Sequence, residues 1–299
     1  CCPFTCTLLT CCIKDFIYCI FTVFIFVTKD VTCNFNEIAF KFTFVPFSKY
    51  FVHFFIGHTE AVSHKLICFT DKLHITIFDT IVNHFYKVAC TVFTSGCNFR
   101  CPFCHNASLV TQPTDVVLSE EELLNFLKKR QGVLEGVVFT GGEPLLHADL
   151  PLLMERIKAL GYPIKLDTNG TKPERLKQLL DQGLLDRVAM DIKHTPAQYP
   201  LAVGLKELDM EAITASKDLL MNGSVEYEFR TTVVKGIHSE ADIVDAARLV
   251  EGASQYFLQQ YVDPGDQGGS GLSAFSAQEM QRFAEAAKPY VKNIGIRGV

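Results

Sequence analysis

The sequence predicts an α/β fold over residues 87–299, a partial (β/α)6 TIM-like barrel, preceded over residues 1–86 by an anomalous Phe- and Cys-rich segment. Three observations lead there. Six apolar runs alternate with six helical patterns, which implies parallel strands joined by right-handed crossovers. Six such units in about 210 residues fit a partial barrel better than a full eight-unit barrel of ~250 residues. The polar motifs fall where the strands end, which is where barrel enzymes keep their active sites. A doubly wound open sheet is the alternative.

The elements follow in order. Residues 88–93 read as a buried strand leading into a cysteine-rich loop. A Ser-Glu-Glu-Glu start at Ser119 opens a helix to residue 130, with Leu123, Leu124 and Leu127 on its apolar face. The second unit is a strand at 136–140 and a helix at 149–160, with Pro151 in its first turn and Gly161 as its stop. A strand at 164–168 precedes a helix at 173–182 ended by Gly183, and a strand at 187–192 precedes a helix at 206–221 ended by Gly223. Strands at 227–234 and 256–261, with helices at 239–250 and 277–287, complete the set.

Composition divides the chain. Residues 1–86 hold sixteen Phe, eight Cys, one Gly (Gly57), no Arg and no Met, and the first Met is Met154, inside an expected helix. That segment lacks the Gly, Pro, Asn and Asp punctuation of a folded domain. Upstream or out-of-frame translation of an AT-rich stretch would produce such a bias, so 1–86 is expected not to be a natural domain. The apolar run 16–27 is too short for the ~20 residues of a bilayer span, and no basic leader or small-residue cleavage site accompanies it. Cys1, Cys2, Cys6, Cys11, Cys12 and Cys19 lack the spacing and leading strand of a metal loop. A net charge of −5 over 299 residues argues against a nucleic-acid partner. The expected location is the cytoplasm, with no membrane partner.

Cys97, Cys101 and Cys104 stand at C-x3-C-x2-C spacing. Three thiolates on one loop can hold a [4Fe–4S] cluster and leave one iron open, whereas ferredoxin runs have other spacings and a fourth cysteine. A structural zinc would need a second pair of ligands. No Cys follows Cys104, and His105, His147, His194 and His238 show no paired spacing. Disulfide frameworks belong to small secreted domains. The other strand ends carry Thr140-Gly141-Gly142-Glu143-Pro144, then Asp167-Thr168-Asn169-Gly170, then Asp191-Ile192-Lys193, then Arg230. Taken singly these read as turns, a solvated ion pair and an exposed arginine; their joint placement around a cysteine loop points to a site.

The cysteine motif with Phe103 before its last cysteine, followed by Gly141-Gly142-Glu143-Pro144, resembles the radical S-adenosylmethionine (SAM) superfamily. From about residue 87 to 266 the chain is similar to anaerobic ribonucleoside-triphosphate reductase activating proteins, relatives of pyruvate formate-lyase activase. The resemblance is carried by Val88-Ala89-Cys90-Thr91-Val92-Phe93, Cys104-His105-Asn106, Lys165-Leu166-Asp167-Thr168-Asn169-Gly170, Val188-Ala189-Met190-Asp191-Ile192-Lys193, the run from Tyr227 to Val234, and Leu258-Gln259-Gln260-Tyr261. It stops just upstream of Lys87, where relatives have an Ile-Asp-Tyr-Pro-Gly-Lys-like lead and this chain has His84-Phe85-Tyr86.

The resemblance implies a glycyl-radical enzyme activase. A [4Fe–4S] cluster on Cys97, Cys101 and Cys104 would chelate SAM through its open iron. The 141–144 backbone and Glu143 would receive the amino group, Lys193 and Arg230 the methionyl carboxylate, and Phe103 the adenine. Asp167, Thr168, Asn169 and Asp191 would complete the cofactor site, framing a ribose contact or a monovalent cation. A 5′-deoxyadenosyl radical would then abstract a glycine hydrogen from the reductase, with a flavodoxin- or ferredoxin-like one-electron donor as second partner. A deazapurine synthase-like small-molecule enzyme and a non-catalytic electron-transfer module are the alternatives.

Overall fold

The computed structural model describes residues 87–111, 119–263 and 271–299, together with the backbone at 34–35, 38–39, 65–69 and 74–82. The chain divides into two compact units, Cys1–Phe55 and Ile56–Val299. In the first, the described residues form one antiparallel pair, β1 (Asn34–Phe35) with β2 (Ile38–Ala39). The N-terminal cysteine clusters and the apolar run 16–27 lie outside the described residues.

The second unit holds a nine-stranded sheet. Its strands are β3 (Lys65–Phe69), β4 (His74–Val82), β5 (Lys87–Thr94), β6 (Gly136–Gly141), β7 (Ile164–Thr168), β8 (Arg187–Asp191), β9 (Glu226–Val233), β10 (Tyr256–Gln260) and β11 (Ile294–Arg297). They lie side by side in chain order. From β5 to β11 every pairing is parallel, so the C-terminal ends of these strands share one edge. This is the parallel α/β sheet of a partial barrel.

One feature differs from expectation. A seventh parallel strand, β11, follows the last helix; its four half-buried residues include a glycine, Gly295, which leaves too little apolar sequence to read as a strand. On the other side of β5, β4 pairs antiparallel with it from Thr76↔Phe93 to Val82↔Lys87, and β3 pairs with β4.

The helices are α1 (Ala107–Thr111), α2 (Glu120–Lys129), α3 (Leu150–Ala159), α4 (Pro173–Asp181), α5 (Tyr199–Ala202), α6 (Met210–Asn222), α7 (Glu240–Leu249) and α8 (Ala277–Ala287). Ser119, Ser239 and Ser276 begin α2, α7 and α8 with reciprocal capping boxes to Glu122, Asp242 and Glu279. The fourth long helix starts at Met210 and not near 206, because the Asp209 side chain caps the N–H groups of Glu211 and Ala212. Leu123 and Leu127 of α2, Met154 and Ile157 of α3, Leu176 of α4, Ile213 and Leu220 of α6 and Phe283 of α8 bury against Val137, Phe139, Leu166, Val188, Phe229 and Leu258 of the strands. That outer core leaves the opposite strand face, with side chains alternating at i and i+2, to polar residues.

Candidate active site at the C-terminal ends of the strands

The loop after β5 carries Cys97, Cys101 and Cys104, all free and half-buried, whereas Cys90 within β5 is fully buried. The turn closes through Cys104 N–H donating to Cys101 O at 3.1 Å. The loop is bound to the loop after β6 by Gly142 N–H to Thr94 O (2.7 Å), Glu143 N–H to Gly96 O (2.9 Å) and the Asn106 amide to Gly141 O (3.0 Å). A Cβ on Gly142 would overlap the Gly96 carbonyl, and one on Gly141, whose φ is +112°, would overlap the Thr94 backbone. The close approach these glycines permit is therefore to the cysteine loop itself.

Glu143 is fully buried. Its carboxylate accepts Leu145 N–H (3.2 Å) and the Thr168 hydroxyl (2.7 Å) on Oε1, and Asn169 N–H (2.7 Å) on Oε2. Burial pushes its pKa up to about 7, while those three donors hold it down. The sequence reading gave Glu143 to a ligand amino group; the structure occupies three of its roughly four acceptor positions with protein donors. It ties β6 to β7.

Asp167, Asp191, Lys193 and Arg230, from three successive strand ends, converge as one charge cluster. Arg230 donates Nη1–H to Asp167 Oδ2 (3.0 Å) and Nε–H to Asp191 Oδ1 (2.9 Å), and Lys193 donates to Asp191 Oδ2 (2.9 Å). Burial works against ionised Asp191, yet Arg230 and Lys193 outweigh it and hold its pKa below the usual range. Lys193 and Arg230 are thus engaged with carboxylates, and Asp167 and Asp191 with cations; Arg230 is not a surface residue. Further along the same face lie groups the sequence reading passed over. Lys165, 1% exposed, sits 3.2 Å from Asp167 and 3.6 Å from Glu228, and Glu228 also pairs with Arg187 and, through both its oxygens, Arg297. Lys165 and Glu228 stand two residues before Asp167 and Arg230, so strand alternation was the signal that could have found them.

Phe103 is buried with Ala202, Val234 and Tyr261, and Lys193 Nζ lies 6.0 Å above its ring. The ring meets His238 edge-on at 6.2 Å, and His238 stacks on His194 at 4.8 Å. Phe103 is thus already packed, and its contact to an adenine would involve only the small part left exposed. His238 accepts Val234 N–H on Nδ1 (3.1 Å) and reaches Lys193 O with Nε2 (2.8 Å), which fixes a neutral ring. No sequence spacing announced this histidine pair.

The three cysteines fit a multinuclear iron centre. Burial pushes the Cys101 thiol up to about 11; Lys193 draws it down, and Cys104 and Cys97 push it up again. Mutually repelling thiols of this kind are what a cationic metal core deprotonates. No three His, Cys, Asp or Glu side chains among the described residues are gathered closely enough to hold a single ion. The sequence signature of the Radical SAM superfamily matches residues 91–250. The chain belongs to this superfamily.

Its cofactors are accordingly a [4Fe–4S] cluster and SAM. The radical SAM chain is 33% identical over 221 residues to a Methanocaldococcus jannaschii protein provisionally named a glycyl-radical enzyme activating enzyme, covering 71% of this chain and 90% of that one. It is 42% identical over 80 residues to the 7-carboxy-7-deazaguanine synthase of Halobacterium salinarum, covering 27% of this chain and 31% of that enzyme. Among solved structures, SAM-bound SuiB of Streptococcus suis aligns at a TM-score of 0.53 and 14% identity, over 68% of this chain and 48% of that one. TYW1 with a lysine–pyruvate adduct aligns at 0.51 and 15%, over 68% and 74%. These two likenesses concern the radical SAM fold. No helix among the described residues is long and apolar enough to cross a membrane.

Proposed function

We infer that this radical SAM chain is a glycyl-radical enzyme activase, with an anaerobic ribonucleoside-triphosphate reductase as its substrate protein and a flavodoxin- or ferredoxin-like protein as its electron donor. The observation that carries the reading is the extent of the similarity to the M. jannaschii activating enzyme, which spans nearly all of that protein. The deazaguanine synthase match is higher in identity but confined to 80 residues, so a small-molecule reaction is the second reading.

In this reading Cys97, Cys101 and Cys104 hold the cluster. The bound cofactor pair supplies the one-electron chemistry and the hydrogen-abstracting species. The protein positions and shields it: the glycine loop fixes the cysteine loop, and the 141–144 and 167–170 segments, with Asp191, Lys193 and Arg230, form the SAM side of the site. Asp167 and Asp191 act as carboxylates that orient Arg230. Anaerobic incubation of the reconstituted protein with SAM, a strong one-electron reductant and the reductase should give a glycyl-radical signal by electron paramagnetic resonance (EPR). SAM cleavage without that signal, and turnover of a deazapurine precursor, would establish the second reading instead.

A further inference from the structure

We propose that Asn169 is a positioning residue that tunes the cluster through Cys97, by donating a side-chain N–H to the sulfur. Asn169 Nδ2 lies 3.9 Å from Cys97 Sγ, the same sulfur that receives Phe99 N–H at 3.4 Å. Of the three cysteine sulfurs, Cys97 thus faces two N–H donors.

The amide orientation is determined by its surroundings. Asn169 Oδ1 accepts Thr171 N–H at 3.0 Å, and a backbone N–H can only donate, so the oxygen must lie on that side and the NH2 on the other. The Thr171 hydroxyl adds a second donor to Oδ1 at 2.7 Å. On the NH2 side, one proton goes to Asn98 Oδ1 at 2.9 Å, and Asn98 is itself anchored by its own amide on Thr171 Oγ1 at 2.8 Å. The second proton is left for the sulfur. The backbone beneath is fixed by Glu143, which accepts Asn169 N–H. Asn169 is 6% exposed, so water does not compete for the donor.

Hydrogen bonds to cluster sulfurs set reduction potential, because they stabilise the more electron-rich state. Asn169 therefore makes one-electron reduction easier. The proposal rests on the family's cluster and not on the identity of the substrate, so it is tested without SAM or any substrate protein. The measurement is a potentiometric titration of the reconstituted protein followed by EPR and visible absorbance. Asn169→Ala should retain its iron and titrate at a more negative midpoint, with a reduced-to-oxidised ratio about threefold to tenfold lower at fixed poise.

Thr171→Val loosens the same clasp but leaves the Asn169 amide and the Thr171 N–H that orients it, and should keep the wild-type midpoint. An unchanged midpoint in iron-replete Asn169→Ala overturns the proposal. Equal shifts in both variants overturn it as well, since they would mean general loosening of the loop. If Asn169→Ala takes up no iron, Asn169→Ser reads the same effect, because it keeps the backbone N–H held by Glu143 and its short hydroxyl does not reach the sulfur. A negative shift there supports the assignment, and no shift overturns it.

Discussion

Glu143 accepts the backbone N–H of Asn169 at 2.7 Å, so a fully buried carboxylate joins the loop after β6 to the loop after β7. Thr168 and Leu145 complete the same arrangement. Glu143→Gln preserves shape but not acceptor capacity. Either amide orientation sets an NH2 against a backbone N–H, of Leu145 or of Asn169. Leaving a buried donor unsatisfied costs roughly 1–3 kcal/mol, and for a domain of this size each kcal/mol is about 2–4 °C in Tm. The apoprotein should melt roughly 3–10 °C lower by circular dichroism, and an unchanged Tm would remove the tie.

Gly142→Ala should spare the barrel and damage the cysteine loop. The new Cβ meets the Gly96 carbonyl, which is backbone and cannot rotate away. Iron content after reconstitution should fall well below that of the parent, with the far-ultraviolet spectrum unchanged. Full iron uptake would show that the two loops can separate without loss of the site.

Of this arrangement, the sequence made the strand ends and their motifs legible, because apolar runs of five or six residues bounded by glycines and Ser caps are local signals. Cys97, Cys101 and Cys104 were legible through spacing, and Asp167, Asp191, Lys193 and Arg230 through position after a strand. What each polar group touches was not. Asn98 and Asn169 are 71 residues apart, and nothing near either announces the other. The same holds for Glu228, whose partners Arg187 and Arg297 come from two other strands. The strand β11 escaped because its four residues include a glycine, and its pairing with β10 is a tertiary fact.

Arg230 bridges two carboxylates, so its replacement should act on both. Breaking a buried ion pair by removing one partner costs roughly 3–5 kcal/mol. Arg230→Ala should therefore lower stability by about that amount and weaken SAM binding by one to two orders of magnitude, measured by equilibrium binding to the cluster-loaded protein. Arg230→Lys supplies charge without the fork and should recover only part of each. Wild-type SAM affinity in Arg230→Ala would exclude the charge cluster from the cofactor site.

His238 gives the apoprotein an acid limit. Burial brings its pKa down to about 4, and both ring nitrogens are engaged with backbone groups. The unfolded chain takes up its proton near 6.5, so the stability held by the neutral ring is complete above that pH and is lost as pH falls toward 4. The loss amounts to roughly 3 kcal/mol. His238→Gln should start less stable and lose less between pH 6.5 and 4 in urea titrations; an identical pH slope would show that the ring is not the group responsible.

Isotope transfer reads whether a glycine of the substrate protein gives up its α-hydrogen to the 5′-deoxyadenosyl radical. The reductase is prepared with α-deuterated glycine and incubated anaerobically with the reconstituted protein, SAM and a one-electron reductant. Mass spectrometry of the 5′-deoxyadenosine should show one deuterium per molecule, in proportion to the glycyl radical formed. Equal amounts of 5′-deoxyadenosine without deuterium would show that the abstracted hydrogen does not come from that glycine.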